Sequence, residues 1–169
     1  MTIHPDHKTP ANWIAAGAAV GLVGGLAEVL VVEAYSLVAG TDAAGVAGAI
    51  ATAVRIDPGS AVTGLVVHMA LSGALGVALL AAAKGSGLLR TGSASLAYGW
   101  ALLALGAIWS LNFFAVLPIV SPSFVHLLPY PVTLASKLLF AVAAVATLRS
   151  IPAKAASRLR SRSLARAAA

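Results

Sequence analysis

The stretch Trp13–Ala39 reads WIAAGAAVGLVGGLAEVLVVEAYSLVA and contains no Lys or Arg. A helix of this length crosses the hydrocarbon core of a bilayer, about 30 Å thick, with some tilt. The apolar segment of a cleavable signal peptide has only about 7–15 residues, and this stretch also holds Glu28 and Glu33. It therefore predicts a transmembrane helix rather than a removable leader.

Three further apolar runs follow the first and predict three more membrane-spanning helices. They cover approximately Ala61–Ala83, Ser93–Leu117 and Val132–Leu148. Between the first two spans, the Ala- and Gly-rich segment Ala43–Val54 predicts a short helix at the outer membrane interface, closed by Asp57-Pro58-Gly59. The predicted fold is an all-α, four-helix transmembrane bundle in residues 11–149, between an N-terminal segment, 1–10, and a tail, 150–169.

The composition of the chain agrees with this class. Of 169 residues, 60% are apolar and 9% are charged, against about 25% charged residues in soluble domains. The chain has no cysteine, which excludes disulfides, thiolate metal sites and thiol nucleophiles. No Ser-His-Asp arrangement and no Gly-rich phosphate loop stand out, so the sequence does not predict an enzyme.

Basic residues predict the orientation of the spans, because cytoplasmic loops carry an excess of Lys and Arg. With four spans, both termini lie on one side, together with nine of the eleven basic residues; only Arg55 and Lys137 remain for the other side. Both termini are therefore predicted to be cytoplasmic. The tail from Arg149 to Ala169 holds six of the eleven, which favours contact with anionic lipid over contact with nucleic acid.

Polar residues inside the spans form a layer near the outer face. At 1.5 Å per residue, four of them lie about 9–10 Å below the outer ends of their helices. The four are Glu33, His68, Asn112 and Lys137. Glu28 lies about 7.5 Å deeper than Glu33 and about 140° around the helix from it. Ionisable groups in membrane spans usually face the bundle interior, so we expect these side chains to converge there.

Small residues at helical spacing indicate which helix faces pack together. Glu28 shares a face with three glycines, Gly21, Gly24 and Gly25. His68 lies in a stripe formed by Gly64, Ser72 and Gly76, and Lys137 lies between Thr133 and Ala141. These stripes predict close approaches between the spans that carry them.

The polar layer is compatible with more than one chemistry. A metal ion such as copper, iron or zinc would take Glu28 or Glu33, His68 and, if the Pro-rich loop folds back, His126. Lys137 argues against a divalent ion, because its ammonium group would repel one. A bis-histidine haem would need His68 and His126, and a proton relay would use Glu28, His68 and Glu33.

Two purely structural interpretations of the layer also stay open. Asn112 can form an interhelical hydrogen bond, and a Glu33–Lys137 ion pair can join two helices without further function.

In the order of the helices, spans one plus two and spans three plus four look like parallel copies of a two-helix unit, which predicts a parallel duplication.

Three stretches resemble the YagU-like group of small bacterial inner-membrane proteins. They are Gly21–Tyr35, Val67–Gly76 and Trp109–Pro118, the last followed by a Pro-rich loop. The resemblance covers about Gly17–Leu148, but Lys137 stands where such proteins often have a histidine. It implies four membrane helices and a location in the bacterial inner membrane, and it implies no established activity.

The function favoured by the sequence is that of a non-enzymatic packing or accessory component of a membrane assembly, as a homo-oligomer or in a larger complex. Small-residue faces are plentiful and chemical groups are few, which favours this role. The alternatives are a bundle that binds a metal, haem or another small ligand in the polar layer, and a device that moves protons or solutes.

Overall fold

The computed structural model describes the backbone of residues 10–56 and 60–167 and the side chains of 13–56 and 60–151. Every regular element in these ranges is helical. The α-helices are α1 (Pro10–Ala39), α2 (Ala43–Ala53), α3 (Ala61–Gly85), α4 (Ala94–Leu111), α5 (Leu117–Val120) and α6 (Tyr130–Ala167). The predicted N-terminal segment, up to residue 9, and the turn Asp57-Pro58-Gly59 lie outside the described residues.

Four helices are long and apolar enough to cross a membrane, as predicted. They cover Trp13–Ala39, Ala61–Gly85, Ala94–Val120 and Tyr130–Ile151. The short helix predicted at Ala43–Val54 is confirmed as α2. The fourth span begins at Tyr130, before the predicted Val132, because Pro131 lies in the first helical turn, where a missing N–H costs nothing.

The third span continues past Leu117 through an irregular turn. Asn112–Val116 form a π-helical turn, in which the N–H of Leu117 donates to the carbonyl of Asn112. Pro118 has no N–H to donate to the carbonyl four residues earlier, so regular α-helical bonding is interrupted just before it. Short π segments of this kind are frequent at functional sites.

The four long helices lie in a row in the order α3, α1, α6 and α4, judged by their most extensive contacts. Neighbours in the row are antiparallel. Gly17 of α1 lies against Val77 of α3, whereas Gly25 lies against Met69 nearer the other end. The row leaves α3 and α4 at its two ends, where the described residues give them no extensive contact with one another.

Small residues form the contact between α1 and α3, as their spacing predicted. A Cβ atom on Gly21 would collide with the carbonyl of Ser72, and one on Gly76 would collide with the backbone of Gly17 and Gly21. On the other side of α1, Gly24 packs directly on the ring of Phe140 in α6. Gly21 and Gly76 must be glycine because backbone lies where a Cβ would be, and at Gly24 the ring of Phe140 takes that space.

The bundle divides into two halves along the helix axes. The closed half contains the hydrophobic cluster of Val20, Ala101, Leu105, Phe140, Ala141, Ala144 and Val145. Leu105 and Phe140 have no exposed surface, and the apolar gap beside the cluster measures only about 50 Å³. The cavity half lies toward α2 and holds the polar residues of the spans.

Candidate functional site

A cavity of about 470 Å³ occupies the cavity half. Helices α1, α2, α3, α4 and α6 all contribute to its wall, together with the π turn and residues Phe124 and Leu128. Most of the wall is apolar, and a small group of polar side chains lies among the apolar ones. Glu28, Glu33, His68, Asn112 and Lys137 are all in that group.

A buried ion pair lies at the centre of the site. The Nζ atom of Lys137 is 2.6 Å from Oε1 of Glu28, and the two side chains are 18% and 7% exposed. The antiparallel register of α1 and α6 produces the pair, because Gly24 packs on Phe140 one turn further along. The ammonium group also lies 5.5 Å from the centre of the Phe140 ring.

The second carboxylate oxygen of Glu28 lacks a hydrogen-bond partner. Oε2 is fully buried against protein atoms and accepts no hydrogen bond from the described residues. Its nearest polar neighbour is Nε2 of His68, at 3.9 Å. Buried polar atoms in native proteins are nearly always hydrogen-bonded, so this unpaired carboxylate oxygen is a costly feature of the cavity wall.

His68 is held by the backbone of the neighbouring helix. Its Nε2 is 3.2 Å from the carbonyl oxygen of Gly25. A carbonyl only accepts, so this contact assigns the proton of a neutral imidazole to Nε2 and leaves Nδ1 as an acceptor. The close approach of α3 to Gly25, where a Cβ would collide with Ser72, brings the ring to this carbonyl.

Hydroxyl groups on α6 extend the polar wall. The indole N–H of Trp109 donates to Oγ1 of Thr133 over 3.0 Å, and that hydroxyl donates to the carbonyl of Tyr130 over 3.0 Å. Ser136 donates to the carbonyl of Thr133 over 2.9 Å. These bonds join α4 to α6 beside the cavity and fix the side chain of Trp109, which is part of its wall.

One end of the cavity is covered and one side is open. Helix α2 packs across α3, with Gly64 against the carbonyl of Ala47, and also contacts the 3₁₀ turn Phe124–His126. Together α2 and the segment 124–128 cover the cavity at the ends of the spans. Between α3 and α4 the described residues make no extensive contact, so no helix-to-helix contact closes this side of the cavity.

The polar side chains converge, but their pairing differs from the prediction. The Glu33–Lys137 pair that the sequence left open is not formed: Lys137 pairs with Glu28, and Glu33 is exposed at the cavity surface. The prediction counted residues from the helix ends and assumed that these ends align. In the structure α1 extends past the start of α6, which places Glu33 beyond the reach of that pairing.

Of the residues considered for a metal or haem site, Glu28, Glu33 and His68 lie in the cavity wall, but His126 does not. His126 is exposed at the end of its 3₁₀ turn and is not part of the cavity wall. The Pro-rich loop does fold back, but it presents Phe124 and Leu128 to the cavity instead. Within residues 10–56 and 60–167, no group of three or more His, Asp or Glu side chains is placed to hold a metal ion.

Sequence reasoning missed Trp109 and Ser136 as parts of the site. Trp109 is an aromatic residue in an apolar span, and nothing in its spacing distinguishes it from an ordinary core residue. Ser136 lies next to Lys137 and three residues after Thr133, a spacing of one helical turn that could have indicated it.

Comparison of the chain with protein-family models, with curated proteins and with solved structures gave no match. The geometry of the site is therefore the basis for any functional conclusion.

Proposed function

We propose that this chain is a multi-pass membrane protein that binds a small ligand in the cavity half. The observation that carries the proposal is a cavity of about 470 Å³ whose wall holds the Glu28–Lys137 ion pair and His68. Small-molecule sites are typically concavities of about 300–1,000 Å³, mostly apolar, with a few convergent polar groups. A carboxylate, an ammonium group, an imidazole and an amide meet that description here.

The buried charges also support a binding role over a purely structural one. An ion pair in a low-dielectric interior gains little net stability, because desolvation of the two charges offsets their attraction. Ionisable residues within membrane spans accordingly tend to mark pathways or ligand sites. The proposal takes up the small-ligand alternative of the sequence analysis and assigns it to Glu28, His68 and Lys137.

Native mass spectrometry of the protein purified in mild detergent, with elemental analysis and an optical spectrum, tests the proposal. We expect a bound small molecule that is lost in Val29→Trp, where the indole fills the cavity, and kept in Leu30→Trp. Val29 is in the cavity wall, whereas Leu30 is 61% exposed on the outer surface of α1. A cavity that is empty in the wild type, or a ligand that survives Val29→Trp, would contradict it.

We further propose the orientation with both termini cytoplasmic, in a bacterial inner membrane, with α2 at the outer interface. The basic asymmetry supports this orientation. Lys84 lies 4.8 Å from the ring centre of Trp13 at the far end from α2, as expected for an aromatic–basic pair at a membrane interface. Reporter fusions after Ala169 and within Gly40–Ser60 should give opposite sides, and the same side from both would contradict this topology.

A role in a membrane assembly is the second candidate, and α4 is the helix that favours it. Gly99 and Gly106 have open space where a Cβ would lie, and among the long helices of the described residues α4 packs extensively only on α6. Since the chain has no cysteine, Gly99→Cys should give a cross-linked dimer if copies associate through this face. Buried Ala101→Cys is the matched control; equal cross-linking of both, or none, would contradict association through α4.

Two further parts of the proposal concern the partner of the basic tail and the kinship of the chain. Helix α6 continues to Ala167, so its last part presents the basic residues of the tail on a helical backbone. We expect the tail to contact anionic lipid. We also propose kinship with YagU-like proteins, supported by the three stretches quoted above, and with it the same bacterial inner-membrane location.

A further inference from the structure

We infer that the ligand is an uncharged amphiphile with a hydroxyl head group, which enters sideways from the membrane between α3 and α4. The inference rests on the proposed function and names its ligand class. Three features carry it: the neutral Glu28–Lys137 pair, the balance of donors and acceptors around it, and the side on which the cavity opens.

The ion pair disfavours charged ligands of either sign. A cation at Oε2 of Glu28 would lie close to the ammonium group of Lys137, which is 2.6 Å from the other oxygen of the same carboxylate. An anion at Lys137 would lie close to Glu28, with the carboxylate of Glu33 also in the cavity wall. Charges interact strongly in apolar surroundings, so an uncharged head group binds at the lowest cost in free energy.

The hydrogen-bonding groups select a hydroxyl among uncharged head groups. His68 is in the cavity wall and its Nδ1 accepts, so a ligand that pairs with it must donate. Lys137 carries three N–H donors, of which Glu28 takes one, so the ligand is also offered a donor. A hydroxyl group both donates and accepts from a single atom. An ether or an ester accepts only and would leave Nδ1 of His68 without a donor.

The position of the opening indicates an apolar body. Helix α2 and the segment 124–128 cover the cavity at the ends of the spans, so access from the aqueous phase is obstructed. The open side lies between two membrane-spanning helices. Leu65 and Leu71 in the α3 part of the wall are both more than 40% exposed, and Phe113 and Leu117 contribute apolar surface opposite them. An alkyl chain can follow this surface into the hydrocarbon region.

Four probes with the same twelve-carbon chain test the head group. They are 1-dodecanol, dodecyl methyl ether, dodecylammonium and dodecanoate, each added at equal mole fraction to the full-length protein in micelles. Binding is measured by native mass spectrometry. We expect dodecanol to bind at least about tenfold more tightly than the other three, because it alone donates to Nδ1 of His68 without adding charge. Equal binding of the ether, or tighter binding of either ion, would overturn the inference.

Variants of the ion pair sharpen the test, because each one predicts a change of charge preference. Lys137→Gln leaves Glu28 uncompensated and should favour dodecylammonium. Glu28→Gln leaves Lys137 uncompensated and should favour dodecanoate. The double variant, Glu28→Gln with Lys137→Gln, restores a neutral site and should discriminate against both ions. It also keeps the test available if a single variant does not fold.

The outcomes separate this inference from the proposed function. If dodecanol binds wild type and Val29→Trp equally, the cavity is not the site and the proposed function fails with the inference. If probes bind the wild type, are lost in Val29→Trp, and prefer a charged head group, the cavity is a ligand site but not one for an uncharged alcohol. The inference alone is then wrong.

Discussion

The closed half and the cavity half are built from the same four long helices, yet only one of them is filled. In the closed half, Leu105 and Phe140 are completely buried and the residual gap measures about 50 Å³. In the cavity half, small residues such as Ala44, Ala47 and Ser136 face a cavity of about 470 Å³. Packing in the closed half therefore holds the helices together, and the other half stays available for a ligand.

The two halves also differ in their polar content. The small gap of the closed half has an almost wholly apolar wall, whereas the cavity holds a buried ion pair with one unsatisfied oxygen. A bundle tolerates such a costly arrangement when the rest of the structure holds it in place.

The largest effect is expected from a side chain that blocks the close contact between α1 and α3. Gly76→Leu places a side chain where the backbone of Gly17 and Gly21 lies, and we expect loss of most folded protein. Gly106→Leu is the control, because open space surrounds that position and its thermal stability in detergent should be close to wild type. Similar melting temperatures for the two variants would show that the α1–α3 contact does not hold the bundle together.

The next largest effect is expected from Glu28→Gln, which leaves Lys137 as an uncompensated buried charge. Breaking a buried pair costs about 3–5 kcal/mol in soluble proteins, so thermal unfolding in detergent should occur at clearly lower temperature. Glu33→Gln is the matched control: the carboxylate is exposed, and no ion pair is found for it among the described residues. A larger effect of Glu33→Gln would instead favour the pairing predicted from the sequence.

A smaller effect is expected from Trp109→Phe, which removes the indole N–H that donates to Thr133. The loss should be about 1 kcal/mol, the usual net contribution of one hydrogen bond. It should be accompanied by weaker ligand binding, because Trp109 is in the cavity wall. Trp100→Phe, beside the small gap of the closed half, should leave binding unchanged. Equal binding losses in both variants would remove the distinction between the halves.

Much of the fold could be predicted because it depends on local properties of the sequence. Apolar runs gave the four spans, the Ala- and Gly-rich segment gave α2, and the stripe through Ser72 and Gly76 indicated the contact with α1. The partner of Lys137 could not be predicted in the same way. It depends on the register of α1 against α6, which is set by Gly24 packing on Phe140 and not by the helix ends.

The cavity itself was also beyond sequence reasoning. The cavity exists because the side chains around it leave a space unfilled. It is covered because α2 contacts the turn Phe124–His126, which is distant in sequence. The predicted convergence of polar groups identified the right region of the bundle. The sequence did not indicate that one buried carboxylate oxygen would be left unpaired.

Photolabelling tests the central claim, that the cavity half is a ligand site, most directly. The wild-type protein is irradiated in lipid nanodiscs with a diazirine derivative of dodecanol, and the labelled residues are mapped by mass spectrometry. We predict labelling concentrated at Leu65, Phe113 and Leu117 in the cavity wall, and suppressed by excess dodecanol. Labelling spread over outer positions such as Leu37 and Leu103, 84% and 77% exposed, and insensitive to dodecanol would contradict the account.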